Sequence, residues 1–229
     1  MTHPKTERKP ATVVAKPVRR TQAERSATTR KRLIDAAILC LHQYGYAATT
    51  TVLVAEKADI SRGAMLHQFA TKVDLMLAVV ERSYQDQIDH YAAWLARGKG
   101  VSRNQINDLL GIAWDVAREP SAMAFYEIWL ATRSDEELSE RFAPVYERIK
   151  KRSYSEMQKL MKEAGIDADR KTIEAITRLN IAALRGLAIE WTMERDPERL
   201  EGCVDLLKDY TDSFTRQRRQ EKPLKARSR

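Results

Sequence analysis

The sequence predicts an all-α protein, and three observations carry that prediction. Apolar residues recur at three- and four-residue spacing from about residue 33 onward. No run alternates apolar and polar residues as a half-buried strand does. The 8 Gly and 7 Pro in 229 residues are too few for a turn-rich all-β fold. With 43% hydrophobic and 31% charged residues, the chain has enough apolar surface for a sizeable core, in one large domain or a small domain joined to a larger one. Cys40 and Cys203 rule out a disulfide framework and fit a reducing cytosol. The longest uncharged stretch, 36–55, carries His42, Gln43 and Thr49 to Thr51, so no membrane partner is expected.

The elements follow in order. Residues 1–24 are rich in Thr, Lys, Arg and Pro, with too little apolar matter to offset ordering entropy, and are expected to be a disordered arm. The first 32 residues contain no apolar segment of the kind a secretory signal needs. Ile34, Ala37, Ile38, Leu41 and Tyr44 form the stripe of a first helix, which Gly45 ends. A short helix starts at about Thr50, and Asp59-Ile60-Ser61 makes a tight turn. Ser61 then caps a third helix, Arg62 to Gln68. Thr71 and Asp74 form a capping pair for a fourth helix that Gly98-Lys99-Gly100 breaks. Ser102-x-x-Gln105, Pro120, Ser134-x-x-Glu137, Asp167 or Asp169, and Asp196-Pro197 open further helices, and Pro144 is placed to kink one of them.

Charge is unevenly placed. The net charge is +8, yet residues 1–32 carry +8 and residues 214–229 carry +6, leaving a balance of −6 for 33–213. A mildly acidic body between basic tails suits a protein that meets a polyanion, although basic tails also serve solubility alone.

The first three helices have the proportions of a helix-turn-helix unit, whose third helix enters the major groove. Arg62, His67 and Gln68 can donate outward there, with Met65, Leu66 and Phe69 packing inward. Gly63 weakens a helix by roughly 1 kcal/mol, which suggests close approach to DNA or to another helix.

The residues of that unit resemble the DNA-binding domain of TetR-family transcriptional regulators. The resemblance rests on Gly45-Tyr46, Thr49 to Thr51, Ala55 and Ala58, Asp59-Ile60-Ser61, and Phe69 to Lys72, and spans about Leu33 to Val80. Asp59 stands where the family commonly has Gly, and tolerates left-handed backbone. Leu66 stands where the family often has Tyr as a phosphate contact. The resemblance implies phosphate contacts from Thr50 or Thr51, His67 and Lys72, and base contacts near Arg62, Gly63, Ala64 and Gln68. The threonines also read as helix caps, and His67 and Lys72 as plain surface residues. The implied organisation is a helix-turn-helix domain at 25–71, a regulatory domain at 72–215 and a basic tail at 216–229.

In this family the larger domain dimerises and encloses a small-molecule pocket. The dimer face expected here is the small-residue stripe Leu179, Ala182, Gly186, Ile189 and Met193, with Leu200, Val204 and Leu207 from the last helix. Pocket candidates are Trp114, Met123, Phe125, Trp129, Met157, Met161 and Asn180, each of which also reads as plain core or an interhelical hydrogen bond. His3, His42, His67 and His90 show no metal-ligand spacing, no phosphate loop or nucleophile elbow is present, and no cofactor is expected. The leading expectation is a homodimeric repressor released from a palindromic DNA operator by an unknown small molecule. A ligand-independent nucleoid-associated protein and an enzyme on the same fold stand as alternatives.

Overall fold

The computed structural model describes residues 21–97, 103–163, 165–166, 168–194 and 196–220. Among them lie helices α1 (Gln22–Ala48), α2 (Thr51–Lys57), α3 (Arg62–Gln68), α4 (Lys72–Leu95) and α5 (Arg103–Ala117). They are followed by α6 (Pro120–Ala131), α7 (Glu136–Glu163), α8 (Arg170–Trp191) and α9 (Pro197–Gln220). No strand occurs among the described residues. The expectations for residues 1–20, for the break at 98–100, for Ser102, Asp167 and 221–229 lie outside the described residues.

Capping chemistry sets most boundaries. Thr21 and Glu24 form a reciprocal capping box, with the Thr21 N–H donating to Glu24 Oε2 at 2.7 Å. Helix α1 therefore starts at Gln22, earlier than the expected arm boundary at residue 24. The expected tail at 216 is likewise corrected, because α9 continues to Gln220. Thr71 and Asp74 make a second capping box at α4. At α7 the cap is Asp135, whose Oδ1 accepts from the Leu138 N–H at 2.9 Å. Ser134, expected as that cap, instead donates back to the Ala131 carbonyl. Pro144 lies inside α7 without ending it.

Helices α1, α4 and α6 pack together at the centre. One contiguous core runs from Leu33, Leu41, Met65 and Phe69 through Met76, Val80, Trp114, Ile128 and Leu138 to Leu200 and Val204. A smaller cluster joins Met161, Ile166, Ile173 and Ile176. Leu200 and Val204, expected at the dimer face, are buried at 4% and 0% exposure inside this chain's own core, and Leu207 packs half-buried against it. The period of α9 admits two faces, and the stripe chosen from sequence is the inner one.

The helix-turn-helix unit is joined to the rest at Tyr46. Gly45 breaks α1 with φ 73°, a conformation that calls for glycine, and a Cβ there would stand 3.1 Å from Glu127 Oε2. The turn aims the Tyr46 N–H at Glu127 Oε2, 3.0 Å away on α6. The Tyr46 hydroxyl donates to Asp135 Oδ2 at 2.6 Å, and Lys72 Nζ donates to the Tyr46 carbonyl at 2.7 Å. Arg141 of α7 pairs with Asp74 at the start of α4. Burial, then the hydrogen bond to Asp135, raises the Tyr46 phenol well above its ordinary range. The Tyr46 hydroxyl and the Leu138 N–H hold the Asp135 carboxyl below its ordinary value.

Two expected outcomes follow from this packing. Leu200→Ala should lower unfolding stability by about 2–5 kcal/mol in urea titration, the cost of a core cavity. Tyr46→Phe should cost about 1–2 kcal/mol near neutral pH. A lowered carboxyl value stabilises the fold above the ordinary aspartate pKa and is lost as pH falls through the folded one. The Tyr46→Phe deficit should therefore shrink below about pH 4, as thermal unfolding at stepped pH would read.

Candidate nucleic-acid interface

The reading unit is built on two short capped helices. Thr50 caps α2, its Oγ1 accepting from the Leu53 N–H at 3.1 Å, and Ser61 caps α3 by accepting from the Ala64 N–H at 3.2 Å. Asp59 supplies the tight turn between them with φ 50°, the left-handed backbone an aspartate tolerates. Arg32 of α1 donates to the Ala58 and Asp59 carbonyls and so closes the end of α2. Val54, Ala55, Met65 and Phe69 anchor both helices in the core.

Burial then decides what α3 can offer. Met65 and Phe69, one turn apart, face inward. Arg62, Gly63, Leu66 and His67 face outward, and Ala64 is half-buried. Leu66 was expected inside; at 59% exposure it lies on the outer face, one turn from Arg62. That position was legible from helical period, because 62 and 66 share a face just as 65 and 69 do. Val52 on α2 is a second exposed apolar residue, at 46%, that the sequence reading did not single out. Among the described residues nothing lies within 4 Å of a Cβ built at Gly63, so none of the described helices requires glycine there.

The remaining candidates are not equally free. Thr50 is exposed but engaged as a cap, and Thr51 is half-buried. Gln68 is half-buried, and its side chain donates to Ser26 Oγ of α1 at 2.8 Å. Its carbonyl accepts from Arg30, which stacks 4.4 Å over Phe69. Lys72 sits 3.9 Å over the Tyr46 ring, and burial lowers its pKa while nearby Asp135 raises it. Arg62 and His67 carry no such tie among the described residues.

The pocket candidates do not converge on one cavity. Trp114 and Phe125 are buried in the main core, with Met123 and Trp129 packed against it. Met157 and Met161 belong to the smaller cluster, and Asn180 Oδ1 accepts from Thr211 at 3.3 Å between α8 and α9. None of the seven lines either of two surface clefts. One of about 160 Å³ lies between α7 and α8 at Tyr154, Gln158 and Ile173. The other, of about 500 Å³, lies beside α1 and α2 at Asp35, Leu39 and Lys57. Among the described residues no group of three His, Cys, Asp or Glu could hold a metal ion, and no helix is long and apolar enough to cross a membrane.

Comparison with known proteins places this geometry. Residues 33–79 match the family of bacterial regulatory proteins described as the tetR family. The chain is 31% identical over 185 residues to the HTH-type transcriptional regulator CymR of Pseudomonas putida, covering 81% of this chain and 90% of that one. It is 29% identical over 89 residues to the HTH-type transcriptional repressor KstR of Mycolicibacterium smegmatis, 39% of this chain and 43% of that one. A transcriptional regulator from Rhodococcus sp. Rha1 shares the fold with a TM-score of 0.62 at 18% identity, over 79% of this chain and 94% of that one. The multidrug binding protein EbrR, complexed with malachite green, shares it at 0.53 and 23% identity, over 79% and 96%. With α2 and α3 in a helix-turn-helix and a helical body behind them, the chain belongs to the TetR family of bacterial transcriptional regulators.

Proposed function

We propose that this regulator is a homodimeric repressor that holds a palindromic DNA operator and is released from it by a small-molecule effector. The observation that carries the reading is the outer face of α3, where Arg62 is exposed and untied beside Gly63, Leu66 and His67. Arg62 reads base edges from the start of the helix, and Gly63 and Ala64 let the backbone approach the groove. Leu66 and Val52 supply apolar contact to thymine methyls or sugars. His67, Thr50, Thr51 and the start of α4 at Lys72 face phosphates. Gln68, tied to Ser26, positions α3 as well as reading from it.

Dimerisation is supported by an unpartnered apolar face. Leu179, Ile189 and Met193 on α8 are exposed at 51%, 43% and 86%, with Ala182 and Gly186 exposed between them. Leu206 and Tyr210 on α9, at 71% and 53%, replace Leu200 and Val204 in the proposed interface. Among the described residues nothing lies within 4 Å of a Cβ built at Gly186, so a close crossing there would be with a second copy. Effector response is supported by the neighbouring fold of EbrR, a multidrug binding protein seen with malachite green. On this reading the chain divides at about residue 71, and the Tyr46 joint crosses that division.

Two measurements check this reading. Selection of bound sequences from random DNA should return an inverted repeat, and Arg62→Ala should relax one position per half-site at a cost of about 1–3 kcal/mol. Unstructured, sequence-independent binding would favour the nucleoid-associated alternative. In sedimentation, Leu206→Asp and Gly186→Leu should each shift the dimer toward monomer, by unpaired charge and by overpacking. An undisturbed dimer in both would place the interface elsewhere.

A further inference from the structure

The 7 residues of α3 are too few to hold a helix by themselves, so whatever braces its ends decides how its outer face is aimed. The start is fixed from within the reading unit, by the Ser61 cap and the Asp59 turn. The inner face is fixed by the buried Met65 and Phe69. The last turn is held differently. No glycine closes it, Phe69 follows as the C-cap with extended backbone, and the Gln68 carbonyl needs a donor from elsewhere. That donor comes from the start of α1, 38 residues earlier in the chain.

Two side chains of α1 make the brace. Arg30 donates to the Gln68 carbonyl at 3.4 Å and lays its guanidinium 4.4 Å over the Phe69 ring. A cation at that end of a helix is also favoured by the helix dipole. Ser26, one turn earlier on the same face of α1, accepts from the Gln68 side chain, Nε2 to Oγ 2.8 Å. Backbone and side chain of one residue are therefore both held by α1. Met65 and Phe69 keep α3 from lifting away, but apolar contact is non-directional and lets a short helix roll about its axis. The hydrogen bond from Gln68 to Ser26 is directional, and it fixes that roll. Rolling α3 would carry Arg62 across the base edges, and a reading side chain needs such support to stay within about 0.5 Å of its working position.

We propose that Ser26 and Arg30 of α1 are positioning residues for DNA reading, which set the aim of α3 through Gln68 without touching DNA themselves. The proposal deepens the operator-binding reading and rests on it. Arg30 counts toward the positive charge at the head of the chain, yet it serves the end of the reading helix rather than a phosphate. Arg32 acts alike on the neighbouring helix, closing the end of α2 through the Ala58 and Asp59 carbonyls. Gln68 was among the residues expected to contact DNA; Ser26 and Arg30 were not.

The test uses the full-length protein with its selected operator duplex and a mixed-sequence duplex of the same length. Specificity is read as the ratio of the two dissociation constants. Ser26→Ala should lower that ratio by about threefold to tenfold, with binding to the mixed duplex changed by less than about twofold. Ser26→Thr, which keeps the hydroxyl, should restore most of it. In a Gln68→Ala background the Ser26→Ala change should have no further effect, because its route to the DNA is already cut. Arg30→Gln should lower the ratio and leave the slope of log affinity against log salt unchanged. Ser26 is only half-buried, so Ser26→Ala decides even if Arg30→Gln does not fold. An unchanged ratio in Ser26→Ala would overturn the proposal, as would a full effect that persists beside Gln68→Ala. A slope shallower by about 0.9 in Arg30→Gln would also overturn it, since that marks a direct phosphate contact. Specific binding by the wild-type protein with any of these results overturns the positioning role alone, whereas absence of specific binding overturns the regulator reading on which it rests.

Discussion

A backbone N–H at the end of a helix needs an acceptor, and in this protein the acceptor comes from the other half of the molecule. The Glu127 carboxylate of α6 accepts from Tyr46 just after Gly45 breaks α1. The turn that makes this contact uses a φ of 73°, a backbone that glycine adopts without strain. From it follow the Tyr46 hydroxyl on Asp135, the Asp135 cap on α7 and the Lys72 donation to the Tyr46 carbonyl at the start of α4. The orientation of α2 and α3 relative to the helical body is thus set through one short turn.

Glu127 and Trp129 are neighbours on α6, one tied to Tyr46 and the other stacked under Arg185. A ligand of the helical body shifts a conformational equilibrium only by its difference in affinity between two arrangements.

Much of the fold was legible in the sequence, for local reasons. Thr50, Ser61, Thr71 and Asp169 act as caps because a short polar side chain before an apolar run has few other roles. Gly45 and Asp59 mark their turns because few residues accept that backbone. What stayed hidden was tertiary. Helix α9 carries apolar residues on two faces, and only packing shows that Leu200 and Val204 go inward while Leu206 and Tyr210 stay out. Leu66 was assigned inward by its chemistry although its period placed it with Arg62. At α7 two adjacent capping residues competed, and Asp135 prevailed over Ser134 with a carboxylate that also reaches Tyr46.

The most direct measurement of the account is amide hydrogen exchange at Tyr46 in the wild-type protein and in Glu127→Ala. If the joint is as described, the Tyr46 amide loses its acceptor and exchanges faster in the variant. The Val54 and Met65 amides, held inside the helix-turn-helix unit by their own helices, keep their protection. Unchanged exchange at Tyr46 would contradict the claim that the reading unit is held to the body through this turn.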